Sequence, residues 1–550
     1  MTTLPNDTSG TRLIAEELRE QRISSNPPPA IIDRSLEHPD DDLPEGAVVD
    51  GEQVSRALDD AFDIVVIGSG AAGATAAHTL ARAGFSVGIV EEGPWLKTKD
   101  MRTDVHGTFS RVLREHGMQV CRGKSFMPML QGVCVGGSTL VNSAIAWRTP
   151  EDVVDDWGAR FGLGDFITND ALAPHFDALE RDLSVREVDA AVLGENNRLF
   201  IEQADRTGFK AAPMRRYDRG CKGSGLCITG CPHGAKQGMS VTYVPWTLAF
   251  GGARIYTSCR VDHVEIAGAR ARTVVARTRT NHVVRLHARV AVIVAASTIQ
   301  SPNILRRSGV RAAALGQHFQ AHPGTALGGL FDRPIQMAFG ATQGAESIAF
   351  RKTDRLKLET ISLPPDLAGA RIPGVGAALE NRLAQLANVA VWAAQVRSEA
   401  EGTVKEGWGG VDRATLTMTE KDLRSLRKGA ALITRMMFEA GAREVWPGIF
   451  GVPSVLTSID QAKLVDEAPL DPRSYNCIST HLFGAARMGI DPKTSVVDPN
   501  FMVHGVDGLY VVDSSVFPTN LGVNPQHSIM GMSRLASSRI AARAKRTHAA

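Results

Sequence analysis

Neither sign of charge is in excess: 61 Lys and Arg stand against 59 Asp and Glu, a formal net charge of +2 over 550 residues. That removes the basic surplus a polyanion partner needs, so nucleic acid is not expected. No apolar run approaches the roughly 18–20 residues that cross a bilayer, so no transmembrane segment is expected. The opening MTTLPNDTSG lacks the charged-then-apolar layout of a secretory signal, and a cytoplasmic protein is the expectation. Cysteine is scarce and odd in number, seven in all, which does not make a disulfide scaffold. What is present is ordinary for a globular chain: 43% hydrophobic and 22% charged residues, enough for a core without staples. At about 150 residues per domain the length allows two to four domains. Fifty-three glycines point to many tight turns and close backbone approaches.

Residues 1–60 differ from the rest. They hold Pro27-Pro28-Pro29, Asp40-Asp41-Asp42 and one amphipathic stretch around Leu13–Ile23, and they read as an N-terminal arm. At Phe62 a strong pattern begins. FDIVVIG is a short apolar, β-branched run of the kind covered on both faces of a sheet. GSGAAG follows, then the small-residue helix ATAAHTLARAG with Gly84 past its end, then a second strand, FSVGIVEEG. Further strands are expected at Ala253–Ile266, Arg272–Arg279, Val283–Leu286, Val290–Ala295 and Gly508–Val512, and a helix at Glu420–Glu439. A cofactor domain would then be assembled from 61–154, 236–315 and 476–545. A substrate-facing domain would occupy 155–235, with the cysteine cluster, and 316–475.

Gly68-x-Gly70-x-x-Gly73 sits where the first strand meets the helix. Gly68 permits the tight turn, Gly70 lets a pyrophosphate approach the backbone, and Gly73 lets the helix pack close to the strand. The helix N-terminus then faces the phosphates. Glu91 closes the second strand, where a carboxylate can accept from ribose hydroxyls. This predicts a bound dinucleotide and leaves FAD and NAD open.

A second glycine-rich segment narrows the choice. Gly132-Val-Cys-Val-Gly136-Gly137-Ser138-Thr-Leu-Val-Asn142, with Ala146-Trp147-Arg148 after it, resembles the flavin-contacting loop of the glucose–methanol–choline (GMC) oxidoreductases. Ala295-Ala-Ser297-Thr-Ile-Gln300-Ser301-Pro302 through Ser308-Gly309 is similar to that family's second signature. The family's closing block is resembled by His481-Leu-Phe-Gly484-x-x-Arg487-Met488-Gly489, by Gly508 to Asp513 and Pro518, and by Gly522-Val-Asn524-Pro525. The resemblance implies an α/β fold, a Rossmann-like FAD-binding domain of GMC type with a discontinuous α+β substrate-binding domain. It also implies an FAD enzyme that oxidises the CH–OH group of a small-molecule alcohol, with oxygen, a quinone or a cytochrome as electron acceptor. By motif, Gly68, Gly70, Gly73 and Glu91 would hold the ADP half of FAD. Gly137, Ser138 and Asn142 would lie near the isoalloxazine and ribityl, Val261 would meet the adenine, and Asp513 the ribityl–pyrophosphate region. His481 and Asn524 fall on the family's catalytic pair. A neutral imidazole can take the hydroxyl proton, and an amide offers a donor and an acceptor to orient the hydroxyl. A non-redox or light-driven family member, a lyase or a decarboxylase, is the alternative. His527, three residues after Asn524, could be an extra site group, but it and His322 read as packed or exposed histidines. Leu, Ala and Met in the substrate domain, with few aromatic platforms, favour a bulky apolar alcohol or sterol over a sugar.

The spacing Cys221-x5-Cys227-x3-Cys231-Pro232 matches a bacterial ferredoxin run at three cysteines and the proline, with Ser224 at the missing position. Three thiolates suit a [3Fe-4S] cluster. The segment also resembles the cysteine segment of iron–sulfur, FAD-dependent glucose dehydrogenase catalytic subunits, which implies the same three ligands. A structural thiol cluster, one disulfide, or a zinc site completed by His233 are the readings the spacing leaves open. Cys121, Cys134, Cys259 and Cys477 read as small core residues.

Overall fold

The computed structural model describes residues 43–101 and 103–549. Most of the expected arm, including Leu13–Ile23, lies outside the described residues. Its last part is not an arm. β1 (Val48–Asp50) already belongs to a sheet, and β2 (Leu58–Ile67) starts ahead of the apolar run. The charged start of β2 is held by partners: Asp60 pairs with Arg254 at 2.9 Å and accepts the Tyr256 hydroxyl. α1 (Ala71–Arg82) and β3 (Val87–Val90) complete a β-α-β unit.

The sheet is finished by residues far along the chain. β4 (Ala253–Thr257), β5 (Cys259–Ala267), β6 (Arg270–Thr278) and β7 (Val283–Val294) join it in the order β1-β4-β3-β2-β7-β6-β5. The four pairings from β1 through β7, and a fifth between Leu509–Val511 and the end of β7, are parallel. β6 and β5 continue as an antiparallel meander. β7 is one strand where two were expected. Arg285 and Arg289 interrupt its apolar run, yet both stand on the exposed side of an alternating pattern, so the strand passes through them.

After α2 (Ser297–Arg307) the chain builds a second sheet. β8 (Gly324–Leu330), β9 (Ala345–Ser347), β10 (Leu356–Thr360), β11 (Val389–Val396) and β12 (Glu444–Trp446) pair in the order β12-β8-β11-β10-β9, all antiparallel, with Ala212–Pro213 on the β9 edge. α3 (Glu420–Glu439) has the expected bounds, opened by a Thr419/Asp422 capping box. It lies so close to the sheet that a Cβ at Gly429 would come within 2.7 Å of the Ala394 Cβ. α4 (Gln526–Ala549) returns to the first sheet's layer, where the Ser533 hydroxyl donates to the Ala72 carbonyl of α1 at 2.7 Å.

One polar knot ties these layers together. Glu180, on the helix Asn169–Asp182, accepts from Arg148 Nε at 2.8 Å and pairs with Arg215 at 3.0 Å. His527 bridges it to Tyr217, with the Tyr217 hydroxyl 2.7 Å from Nδ1 and the Glu180 Oε1 3.3 Å from Nε2. His527 is thus a packed histidine, stacked on Phe176. Burial alone would raise the Glu180 carboxyl, but bonds from Arg148 and His527 and the charge of Arg215 hold it well below its ordinary 4.5. A depressed carboxylate stabilises the fold above its ordinary pKa and loses that contribution as pH falls toward the folded value. Glu180→Gln is expected to destabilise the protein by about 3 kcal/mol, because it leaves buried cations without their anion. Urea unfolding at pH 7 checks the loss.

Candidate active site

The turn between β2 and α1 shows three glycines with three different jobs. Gly68 has φ +95°, and a Cβ there would meet the Ala295 carbonyl oxygen at 2.5 Å. A Cβ at Gly73 would sit 1.9 Å from the Gly68 carbonyl oxygen. At Gly70 it would meet only the Gly137 Cα, at 3.8 Å, and otherwise project into open space. Gly70 is also the N-cap of α1, with no side chain capping it and no acid in the first turn. Backbone N–H groups with no side-chain partner at a helix start suit a phosphate.

A single cavity of about 460 Å³ opens from this turn. Every residue expected to bind cofactor or substrate lines it except Gly73, which lies beneath it. Gly137 is packed against the first turn: its φ is +52°, and a Cβ would press on the Gly70 Cα at 2.9 Å. Ser138 ties the loop by accepting from the Gly132 N–H at 3.0 Å. Asn142 accepts from the Ala144 N–H and donates to Gln526 at the start of α4. Glu91 braces the glycine turn. Its Oε2 accepts from the Ser69 N–H at 3.0 Å and hydroxyl at 2.7 Å, and its Oε1 from the Gly93 N–H at 3.0 Å. A lone pair on Oε1 stays available to a ribose hydroxyl. Val261 lies in β5 where the ladder with β6 slips, between Val261 and His263. Asp513 is buried, and burial pushes its carboxyl up against bonds from the Ser301 hydroxyl and the Ser515 and Ser297 N–H groups. Ser297, at φ +85°, is held in that strained conformation by Asp513 and by Gln131, which donates to its hydroxyl at 2.9 Å. The open cradle at Gly70, the helix start and the acceptor at Glu91 fit a dinucleotide.

His481 and Asn524 meet at one wall of the cavity. The Asn524 Nδ2 lies 3.4 Å from the His481 Nε2, and the His322 Nδ1 lies 3.1 Å from the His481 Nδ1. Burial, with the charge of Lys357 added, holds the His481 imidazole down at about 3 against an ordinary 6.5. His481 is therefore neutral at working pH. His322 is held low as well, by burial first and then by His481. It is buried, one of the two placements the sequence left open, but it is the direct partner of His481 and not a remote packing residue.

One group at this site escaped the sequence analysis. Lys357 of β10 is fully buried, 2.7 Å from Glu346 and 2.9 Å from Glu359. It donates to the Asn524 Oδ1. The acceptor half of that amide, expected to orient substrate, is taken. Burial works against the Lys357 charge, but the two carboxylates outweigh it and push its pKa up. The signal in the sequence was Lys357-Leu-Glu359, two opposite charges at one-face spacing inside the strand LKLET.

The cysteine segment forms a separate small cavity of about 20 Å³, lined by Cys221, Cys227, Cys231, Arg216, Lys236 and His233 among others. All seven cysteines are free, so no disulfide forms there. Among the described residues no three or more His, Cys, Asp or Glu side chains are placed to hold a metal ion, so neither the zinc site with His233 nor a cluster on Cys221, Cys227 and Cys231 is shown. The Arg216 Nη2 donates to the Cys227 Sγ at 3.1 Å. Burial opposes the Cys227 thiolate, yet Arg216 and Lys236 bring its pKa to about 7. The Arg216 Nε and Nη1 are buried without a partner. Lys236 donates to the carbonyls of Leu140, Asn142 and Cys227, which joins this segment to the Gly137–Asn142 loop. Elsewhere burial pushes Cys121, Cys259 and Cys477 to about 12, with Asp50 adding to it at Cys259 and Arg371 opposing it at Cys477, as inert core thiols.

Comparison with known proteins gives the family and the fold. Two family models, both described as GMC oxidoreductase, match residues 62–324 and 410–533. An uncharacterized GMC-type oxidoreductase of Mycobacterium tuberculosis is 34% identical over 508 residues, 91% of this chain and 79% of that one. A long-chain-alcohol oxidase of Arabidopsis thaliana is 25% identical over 497 residues, 86% of this chain and 67% of that one. Among solved structures, formate oxidase superposes with a TM-score of 0.69 at 15% identity, covering 90% of this chain and all of that one. Pyridoxine 4-oxidase from Mesorbium loti gives 0.68 at 17% identity, covering 87% and 98%. At such identities the two superpositions establish the fold. Among the described residues no helix is long and apolar enough to cross a membrane.

Proposed function

The chain belongs to the GMC oxidoreductase family, and from that premise we propose that it is an FAD-dependent enzyme oxidising a primary or secondary alcohol of apolar character to the carbonyl compound. The observation that carries the proposal is the buried, neutral His481 with Asn524 at one wall of the cavity that the glycine cradle opens. When bound, FAD supplies the two-electron sink for the hydride leaving the alcohol carbon. Gly68, Gly70, Gly73, Glu91 and Val261 would hold its ADP half, and Gly137, Ser138, Asn142 and Asp513 the rest. The chain's own part is the proton. His481 accepts it from the hydroxyl at Nε2, and the Asn524 N–H groups hold the oxygen as negative charge develops on it. The O–H and C–H bonds break, the C=O bond forms, and one proton and one hydride leave.

The substrate's apolar character is supported by Ala326, Ile361, Leu363, Leu367 and Ile478, which line the same cavity as His481. It agrees with the similarity to a long-chain-alcohol oxidase. A panel of primary alcohols from ethanol to dodecanol tests it: kcat/KM is expected to rise with chain length, and a preference for sugars or choline would refute it.

For the cysteine loop we propose the [3Fe-4S] cluster that its spacing suggests. Cluster thiolates bind separate irons, so they stand wider apart than the ligands of one ion. Buried Arg216 and Lys236, and the two orphaned Arg216 N–H donors, suit an anionic group there. A cavity of about 20 Å³ holds one water-sized group, so the cluster requires the loop 221–231 to move outward. Iron and acid-labile sulfide assayed on anaerobically purified protein decide this. About three irons per flavin are expected from a three-iron cluster, whereas iron-free protein would leave the loop a thiol site.

A further inference from the structure

We infer that Lys357 is a positioning residue of the oxidation site, whose buried ammonium fixes which end of the Asn524 amide, and which lone pair of His481, faces the substrate. The inference rests on the alcohol-oxidation reading above and goes beyond it. An ammonium has three donors and no acceptor. Facing the Asn524 Oδ1, it allows only one orientation of that amide, with the carbonyl toward β10 and the N–H groups toward His481. An N–H can only donate, so the His481 Nε2 3.4 Å away must present a lone pair. The ring's one proton is then on Nδ1, donated to the His322 Nδ1 at 3.1 Å. One all-donor group thus sets the direction of every bond along the chain Lys357, Asn524, His481, His322. The Nε2 lone pair that meets the Asn524 N–H at 3.4 Å is the one a hydroxyl proton would take by displacing that long bond.

The ammonium is itself held without freedom. Glu346 and Glu359 grip it at 2.7 and 2.9 Å. The Trp147 indole N–H donates to Glu346, and Gln343 and Gln395 donate to Glu359. Five partners on four segments hold one fully buried nitrogen and its counter-charges, which is far more than packing a lysine requires. Electrostatics point the same way. The charged and titratable groups around His481 are Lys357 and Glu359 from β10, Glu346 from β9, His322 beside it, and Arg351 and Arg397, whose charge reaches His322. The two carboxylates are already paired with Lys357 and bonded to donors, and the remaining cations disfavour an imidazolium. Removing the 357 charge should therefore raise the His481 pKa. The acid limb of the kcat/KM profile would move upward in pH.

The test uses the flavin-loaded full chain with a long-chain primary alcohol and two variants. Lys357→Met removes donor and charge, and Lys357→Gln keeps a donor for Asn524 without the charge. In Lys357→Met kcat is expected to fall about 100-fold, the scale of one misplaced transition-state donor, with a much smaller change in KM. Its acid limb should shift upward. Lys357→Gln should recover part of kcat while its limb stays shifted. Wild-type kcat and limb in Lys357→Met would overturn the inference. So would both variants emerging without flavin, which would assign Lys357 to folding alone. A double variant, Lys357→Met with Glu346→Gln, relieves the unpaired carboxylates if the single one unfolds, and the same two readouts decide it. Failure here is separable from failure of the proposed function: oxidation by the wild type, lost in His481→Ala but kept in Lys357→Met, sinks only this inference.

Discussion

His481→Ala is expected to lower kcat/KM for alcohol oxidation by about a thousandfold, within the range a positioned general base contributes, while FAD stays bound. The separation is possible because His481 is a wall of the cavity and not part of the glycine cradle. Its ring contacts are to Asn524 and His322, and none of its bonds supports the Gly68–Gly73 turn or the Gly137–Asn142 loop. Anaerobic flavin reduction followed by rapid mixing isolates the step in question. The rate constant for reduction should fall by the same factor as kcat/KM, and the flavin spectrum of the resting protein should not change. In the wild type, activity requires the neutral ring, so it is lost only as pH falls through the His481 pKa. Burial and the Lys357 charge hold that value at about 3. Between pH 6 and pH 8 the profile should show no histidine limb near the ordinary 6.5. A limb there would mean that the ring is better solvated than this cavity allows.

Gly73→Ala should give flavin-free, destabilised protein, whereas Gly70→Ala should fold and bind FAD weakly. The two glycines belong to one motif and differ in what surrounds them. A methyl at 73 would lie 1.9 Å from the Gly68 carbonyl oxygen and 3.3 Å from the Ala295 Cβ. Gly68 and Ala295 each directly follow a sheet strand, β2 and β7, and a backbone oxygen cannot rotate aside. The cost is about 3 kcal/mol, the upper end of ordinary overpacking, and α1 must lift from the strand that holds the cradle's shape. A methyl at 70 meets nothing but the Gly137 Cα at 3.8 Å. Apoprotein stability should then change by less than about 0.5 kcal/mol. FAD affinity should fall by about tenfold or more, since 1.4 kcal/mol suffices for that factor and the methyl stands where the cofactor would approach. Melting curves with and without added FAD separate the two effects. Equal losses of stability in both apoproteins would contradict the assignment.

Apart from His481 and Asn524, which only the family resemblance singles out, the parts of this site that can be read in the sequence are those in which neighbours in the chain are neighbours in space. The β-α-β unit is of this kind: Gly68, Gly70, Gly73 and Glu91 meet within one turn and two strands, and local rules suffice. The helix Glu420–Glu439 is legible for the same reason, with its Thr419/Asp422 box at one end and a 3.6-residue apolar period throughout. Lys357 is not legible. Its meaning comes from Glu346 on a neighbouring strand and Asn524 far along the chain, and a lysine in LKLET otherwise reads as a solvated strand position. His322 fails likewise, because nothing in Ala321-His322-Pro323 says that His481 lies against it. β1 is three residues long, too short for a period, and exists because Ala253–Thr257 offers it an edge. The cysteine segment is the intermediate case. Spacing proposes ligands, but it cannot see Arg216 and Lys236, which set the charge of the cavity.

The central claim is that this chain oxidises an alcohol at a flavin with His481 taking the proton. Anaerobic mixing of flavin-loaded wild-type protein with a saturating long-chain primary alcohol, in the dark, tests it most directly. The long-wavelength flavin band should bleach in the wild type and bleach far more slowly in His481→Ala. A band that stays oxidised with every alcohol in the panel, or one that bleaches equally fast in both proteins, would contradict the account.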